Sequence, residues 1–372
     1  MNILLVRLRL IGDVVFTTPA IRALRRQYPA AGLSYLVEPA AAAVVEPNTH
    51  LNEVIIAPDP GAPGRLVADA RLARALRRHG FDVAIDFHGG PRAAWLTLAS
   101  GARRRIGYDI PGRRWMYTDA VARARELRPR HSVVNQWDLL SPLGVAAPGR
   151  ETDPTEMPED RAAAASLEAR MAARGLDPAR DRIAIVHVSA GNPFRRWSEA
   201  RFAELVVRLL QADGTRRVVL TSGPSDAEAA RRIGCRARAE LVALGRPPGS
   251  VVDDLELGLA HLNALARRAA LFIGGDSGPL HVAGTTEVPI VGLYGPTLPA
   301  RSAPWRSERL PAEAVEVADL DCRPCDQRRC VPGDFRCLGR IEAAGVAAAA
   351  ERVLAAADLT ARRAPGTKGA SS

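Results

Sequence analysis

Lysine is almost absent from this chain. Of its 51 basic side chains one is a lysine, Lys368, and the others are arginines. They outnumber the 41 acidic residues and leave a formal net charge of +10. The arginines are spread along many helical patterns beside abundant alanine. They read as a compositional bias on solvated helix faces rather than as one designed patch. Aromatic residues make up only 5% of the chain. No stretch interleaves them with basic residues as a stacking platform requires, so nucleic acid is not an expected partner. Long apolar runs are missing too, and none approaches the roughly 20 residues that cross a bilayer as a helix. The opening run Ile3-Leu4-Leu5-Val6 is cut by Arg7 and Arg9, so it reads as a first strand and not as a signal peptide. A cytoplasmic location is expected, where the five cysteines start out reduced. No Gly-x-Gly-x-x-Gly follows the first strand, which disfavours a nicotinamide or flavin dinucleotide.

What is present is an alternation of strands and helices. A length of 372 residues with 47% hydrophobic content predicts two domains. Strand-like runs at 3–6, 34–37, 54–57 and 83–87 alternate with helical patterns at 16–27 and 66–79. That order predicts a parallel sheet covered on both faces. Residues 147–181 are rich in Pro, Asp, Glu and Ala, hold one helical stretch at 161–174, and read as a linker. The alternation then restarts, with strands at 182–188, 217–221 and 241–244 and helices at 199–211, 225–236 and 255–267. Strands at 271–273 and 289–294 follow. The expected organisation is a Rossmann-like domain over 1–160 and a second over 180–340. A helix over 341–358 and a disordered tail over 364–372 close the chain.

Two loops stand out as chemistry. Gly275-Asp276-Ser277-Gly278-Pro279-Leu280-His281 follows an apolar strand and opens a small-residue helix. In an open parallel sheet that is where ligands bind, and a helix start favours an anion such as a diphosphate. Ser277 suits the N-cap and Pro279 the first turn. His281 reads equally as a phosphate contact or as a helix residue packed on the sheet. The other loop follows the first strand and carries Gly12, as a tight turn, and Asp13. Asp13 is either a helix cap or a carboxylate free to act as a general base.

Together the segments resemble glycosyltransferase family 9, the ADP-heptose:lipopolysaccharide heptosyltransferases and their relatives. They are ILLVRLRLIGDVVFTTPAIRALRRQYP, DVAIDFHGGPRAAWLTLASGARRRIGY, HSVVNQWDLL, IVHVSAGNPFRRWSEARFAELV, LTSGPSDAEAARRI and FIGGDSGPLHVAGTTEVPIVGLYGPT. The resemblance implies a GT-B fold, two Rossmann-like domains with parallel sheets facing a central cleft. The acceptor would bind the first domain and the nucleotide sugar the second. It implies that Asp13 is the base. It places the donor on Ser189, Ala190, Gly191, Asp226, Asp276, Ser277, Gly278 and His281. Arg195 stands where the family often has a lysine near the donor phosphates, and Ser198 replaces the proline after Trp197. A guanidinium clamps phosphate as a fork rather than as a point charge. Gly12, Arg92, Arg105 and His131 are the expected acceptor contacts, with Arg103 and Arg104 nearby. No cofactor is expected for catalysis.

Cys322, Cys325, Cys330 and Cys337 form a separate cluster, C-x2-C-x4-C-x6-C. The spacing suits a structural zinc or an iron–sulfur cluster, and disulfides or free thiols remain the alternatives. Cys235 falls in a helical pattern and is expected to be a buried small hydrophobe.

The reading is an inverting glycosyltransferase using ADP-heptose or a related nucleotide sugar. Its acceptor would be an anionic lipid-linked saccharide such as a lipopolysaccharide core, reached through peripheral contact with the inner membrane. Two rivals stand beside it. One is a GT-B scaffold that binds without catalysing. The other is a metal- or cluster-dependent redox or regulatory protein built on the cysteines.

Overall fold

Ile3, Leu4, Leu5 and Val6 are all fully buried in the first strand, β1 (Asn2–Val6). A strand at the centre of a parallel sheet is covered on both faces, so its apolar run is continuous rather than alternating. Burying each such side chain contributes about 1.5–3 kcal/mol. The computed structural model that shows this describes residues 1–123 and 130–363; the tail expected to be disordered lies outside the described residues.

The chain divides into two α/β units. One is Met1–Ala163 with Ala300–Arg306, the other Ala164–Pro299 with Ser307–Ser372. The division falls inside the helix Arg161–Ala172, within the proline-rich stretch. In the first unit β1 is joined by β2 (Gly32–Val37), β3 (Glu53–Ile56), β4 (Val83–Asp86), β5 (Arg104–Asp109) and β6 (Asp119–Ala122). They lie in the order β3-β2-β1-β4-β5-β6, and every pairing is parallel. The second unit repeats the plan with β7 (Arg182–His187), β8 (Arg216–Thr221), β9 (Val251–Val252), β10 (Leu271–Gly275), β11 (Ile290–Tyr294) and β12 (Ala312–Glu316). Their order is β12-β11-β10-β7-β8-β9, again all parallel. Helices Glu199–Ala212 and Ala343–Arg363 pack their apolar faces on this second sheet, with Leu205, Val206, Leu209, Val346 and Ala350 in its core.

Several boundaries differ from the sequence reading. Residues 241–244 are not a strand: Leu241 and Val242 end the helix Ala227–Ala243, and the third strand of this sheet is the two-residue β9. Gly12 does not make a turn. It is buried in a short helix, Ile11–Val15, separate from the following Thr18–Gln27. β5, β6 and β12 carry weak patterns: β5 opens on two arginines, and β12 alternates exposed and half-buried positions at the sheet edge. Cys235 is exposed on its helix rather than buried. Among the described residues no helix is long and apolar enough to cross a membrane.

Candidate functional site

In both sheets the strand order reverses beside the first strand, between β1 and β4 in one unit and between β7 and β10 in the other. A crevice opens at the carboxyl ends of such strands, and ligands of open α/β sheets bind there.

In the first unit this point belongs to Arg7, Asp13 and His88. Arg7 leaves the end of β1 and donates through Nη1 to the Phe87 carbonyl at 2.6 Å, and through Nη2 to Asp13 Oδ2. Asp13 sits in the first turn of Ile11–Val15, whose N-cap is Leu10, so its carboxylate caps nothing. Its side chain keeps 29% exposure while Arg7 keeps 12%. A carboxylate held by one guanidinium, with an edge open to solvent, can accept a proton from a hydroxyl brought to it. Beneath it Asp86 is fully buried and accepts from Tyr117 Oη at 2.6 Å and from the His88 and Gly89 amides at 2.8 and 2.9 Å. Burial pushes the Asp86 carboxyl above its usual range against these hydrogen bonds. Tyr117 reaches it only because Gly107 has no side chain; a Cβ there would stand 2.3 Å from the ring. Burial, with Arg7 and Arg9 nearby, lowers His88 to about 4, so its imidazole is neutral at neutral pH. His88 Nδ1 is buried and makes no hydrogen bond. On the same rim the exposed Arg9 and Leu10 follow β1, and Trp115, 66% exposed, follows β5.

The expected acceptor contacts other than Gly12 are occupied elsewhere. Arg92 binds Asp69 at 2.6 and 3.1 Å, Glu38 at 2.7 Å and the Pro58 carbonyl at 2.7 Å. Arg104 and Arg105 pair in register with Val83 and Ala84, at the start of β4, whereas Asp13 hangs off the opposite end of the sheet. Arg105 donates to the Met116 and Ala102 carbonyls, and Arg104 to Asp119. Arg103 is a surface residue whose side chain is 88% exposed, 4.0 Å from Asp82. His131 caps the helix Ser132–Trp137 through Nδ1, binds the Ala303 carbonyl through Nε2 at 2.8 Å, and packs against Phe16 and Trp305. It anchors the segment Ala300–Arg306 to its unit.

In the second unit the loops after β7, β8 and β10 bring the expected donor residues together. Ser189 Oγ donates to Asp226, which also pairs with Arg196 Nη2 at 3.1 Å, and Arg196 Nε holds the Ala190 carbonyl at 3.0 Å. Gly191 stands open, with nothing within 4 Å of where a side chain would begin. Arg195 Nη1 donates to the Asp276 carbonyl at 2.9 Å and lies 3.4 Å from its carboxylate. His281 Nε2 is 3.4 Å from Asp276 Oδ1. Burial alone would raise the Asp276 carboxyl, but His281 and Arg195 bring it below its ordinary value. Ser277 is the N-cap residue of Gly278–Gly284, with Pro279 in the first turn, yet its hydroxyl makes no cap. Ser277 Oγ and Tyr294 Oη are both buried without a hydrogen-bond partner. Buried hydroxyls are almost always paired, so orphans at this rim fit a place where ligand oxygens bind.

Arg7, His88, Arg196 and Tyr294 are not among the site residues expected from the sequence. Arg7 had a signal: a guanidinium at the end of a buried strand needs a carboxylate, and Asp13 lies six residues on. The others are fixed by sheet pairing or, for Arg196, by the path of the loop after β7, and leave no local mark.

The four clustered cysteines do not assemble a metal site. Among the described residues no group of three or more His, Cys, Asp or Glu side chains converges as metal ligands. All four are free thiols; Cys337 is buried, and burial raises its thiol. The residues as placed do not fit the zinc or cluster expected from their spacing.

A family model for glycosyltransferase family 9 (heptosyltransferase) matches residues 70–334. The chain belongs to glycosyltransferase family 9. It is 28% identical over 356 residues to lipopolysaccharide heptosyltransferase 3 of Escherichia coli, covering 93% of this chain and 97% of that protein. Among solved structures, the family 9 glycosyltransferase of Veillonella parvula DSM 2008 superposes with a TM-score of 0.81 at 24% identity, covering 95% and 97% of the two chains. The E. coli heptosyltransferase WaaC with ADP gives 0.68 at 21% identity, covering 95% and 100%. These likenesses show the GT-B fold, and the protein is a glycosyltransferase.

Proposed function

We propose that this glycosyltransferase moves a heptose, or a closely similar sugar, from ADP-heptose or a related nucleotide sugar to a hydroxyl of an anionic lipid-linked saccharide such as a lipopolysaccharide core. The observation that carries the reading is that each switch point holds an aspartate gripped by arginine: Asp13 with Arg7, and Asp276 with Arg195. Family membership and a relative named lipopolysaccharide heptosyltransferase 3 support the substrate class.

Asp13 takes the proton from the acceptor hydroxyl as its oxygen bonds to the anomeric carbon. The bond from that carbon to the diphosphate oxygen breaks, and the nucleoside diphosphate leaves as an anion. Attack opposite the leaving group inverts the anomeric centre. Negative charge grows on the departing oxygen, and a guanidinium held in place stabilises it without reorganising at that moment. Arg195 is that group, with His281 and the loop amides beside it. Asp276 holds sugar hydroxyls, and Asp226 with Ser189 holds the ribose side. The neutral His88 and the exposed Arg9 and Trp115 lie on the rim that carries Asp13 and meet the acceptor. The acceptor's lipid keeps the enzyme at the cytoplasmic face of the inner membrane.

The test is direct. Purified enzyme incubated with ADP-heptose and a deacylated lipopolysaccharide core should release ADP and form one glycoside of inverted configuration. Failure to release a nucleotide above the Asp13→Asn background, across a panel of nucleotide sugars, sinks the proposal.

A further inference from the structure

The segment that carries the cysteines also lies on the loop after β7. Gln327 Oε1 accepts a hydrogen bond from Arg195 Nε at 2.7 Å and another from Asn192 Nδ2 at 2.9 Å. Two donors on one oxygen fix which way the amide faces. Phe335 adds a ring contact to Phe194, with centroids 5.4 Å apart. The start of the segment is tied down separately: the Cys325 amide donates to the Pro296 carbonyl at 3.3 Å, and Arg323 donates to the Thr297 and Val317 carbonyls, each at 2.6 Å. Gln327 and Phe335 both have positive φ, 59° and 48°. Non-glycine residues keep that backbone only where the surroundings over-determine it, and both of these residues touch the β7 loop.

Arg195 is thereby held on two of its three nitrogens. Nε is on Gln327 and Nη1 on the Asp276 carbonyl, while Nη2 makes no hydrogen bond among the described residues. A guanidinium is a rigid planar fork, so pinning two nitrogens sets the direction of the third. We infer that Gln327 is a positioning residue: it orients Arg195 so that Nη2 points toward the diphosphate of the donor. The Cys-rich segment acts here as a strap across the mouth of the site, whatever its thiols do. The inference rests on the donor reading above, since it needs a phosphate for Nη2 to meet.

The experiment compares Gln327→Ala, Gln327→Glu and Arg195→Ala, and the double variant Gln327→Ala/Arg195→Ala, in the full-length reduced protein. Calorimetry with ADP, and with UDP and GDP in parallel, reads nucleotide affinity; adenosine serves as the control without phosphates. Gln327→Ala should weaken diphosphate binding about tenfold, the size expected for losing a hydrogen bond to a charged group. It should leave adenosine affinity and melting temperature near wild type. Gln327→Glu keeps the acceptor oxygen and should restore binding. In the Arg195→Ala background Gln327→Ala should cost nothing further. Phenylglyoxal labelling of Arg195, read by mass spectrometry without ligand, should accelerate in Gln327→Ala. Unchanged labelling, or an equal loss of affinity with and without Arg195, overturns the role of Gln327. Faster labelling in a protein that binds none of the three diphosphates leaves the placement of Arg195 standing and overturns the donor reading instead.

Discussion

At the scale of single residues, the first loop sets the Asp13 carboxylate against Arg7. A carboxylate that capped its helix would have its oxygens turned to the backbone amides. The Asp13 carboxylate is turned to Arg7 instead, with an edge exposed. Asp13→Asn should lower turnover by roughly two to four orders of magnitude, the usual range for a lost general base. It keeps the size of the side chain, so donor affinity and circular dichroism should stay as in the wild type. Single-turnover kinetics beside calorimetry checks both, and wild-type turnover would remove Asp13 from the chemistry. Asp13 was marked as a candidate in the sequence by the resemblance and its place after the first strand. Arg196 was not, although it adjoins Arg195. Which of two neighbouring arginines turns toward Asp226 depends on the path of a loop that the motif does not specify.

At the scale of elements, arginine serves as a fastener. Arg92 draws the carboxylates of Glu38, after β2, and Asp69, in the helix Arg65–Arg78, onto the first turn of the helix Pro91–Ala99. Both carboxylates are buried, at 6% and 5% exposure. Removing one partner of a buried charge group strands the others. Arg92→Ala should therefore destabilise the protein by roughly 3 kcal/mol, seen as a lower urea midpoint, with little direct effect on acceptor affinity. An unchanged midpoint, with a raised acceptor KM, would return Arg92 to the binding surface. For Arg92 the sequence points to the acceptor because the resemblance gives the first domain to it and a guanidinium fork suits an anionic saccharide. Its two carboxylates lie 54 and 23 residues away, and only the fold brings them in.

At the scale of the whole molecule, stability depends on pH through buried histidine. His187 ends β7, is buried, and shares a hydrogen bond with Thr221 Oγ1 at 2.9 Å. Burial lowers its imidazole from 6.5 to about 4. Well above pH 6.5 it is neutral folded or unfolded and contributes no pH dependence. Between 6.5 and about 4 the unfolded chain binds a proton that the folded one refuses, so stability falls as the pH falls. The slope from this one group reaches about 1.4 kcal/mol per pH unit. His88 acts in the same direction and, being partly exposed, more weakly. Chemical denaturation at pH 7.5 and 5 should show the loss, and His187→Gln should flatten it. An equal slope in His187→Gln would place the acid sensitivity elsewhere.

The amino-acid sequence by itself determined the α/β class, the two-fold repeat of strand and helix, and which two loops are the candidates for ligand binding. Continuous buried runs such as Ile3–Val6 and small-residue turns such as Gly275–Gly278 are local signals that survive without the fold. The edge strands β6 and β12 were invisible because half of their surface faces away from the core, so composition there is free to vary. Only the tertiary structure decided which partner each charged group meets. In a chain with so many arginines, a guanidinium takes its role from the carboxylate or carbonyl that folding sets opposite it. Arg7 met Asp13 at the open end of the sheet, while Arg92 and Arg105 met protein groups. The same holds for the cysteines. Close spacing in sequence placed four thiols in one segment, but among the described residues no three of them are set as metal ligands, and Gln327 of the same segment lies on Arg195.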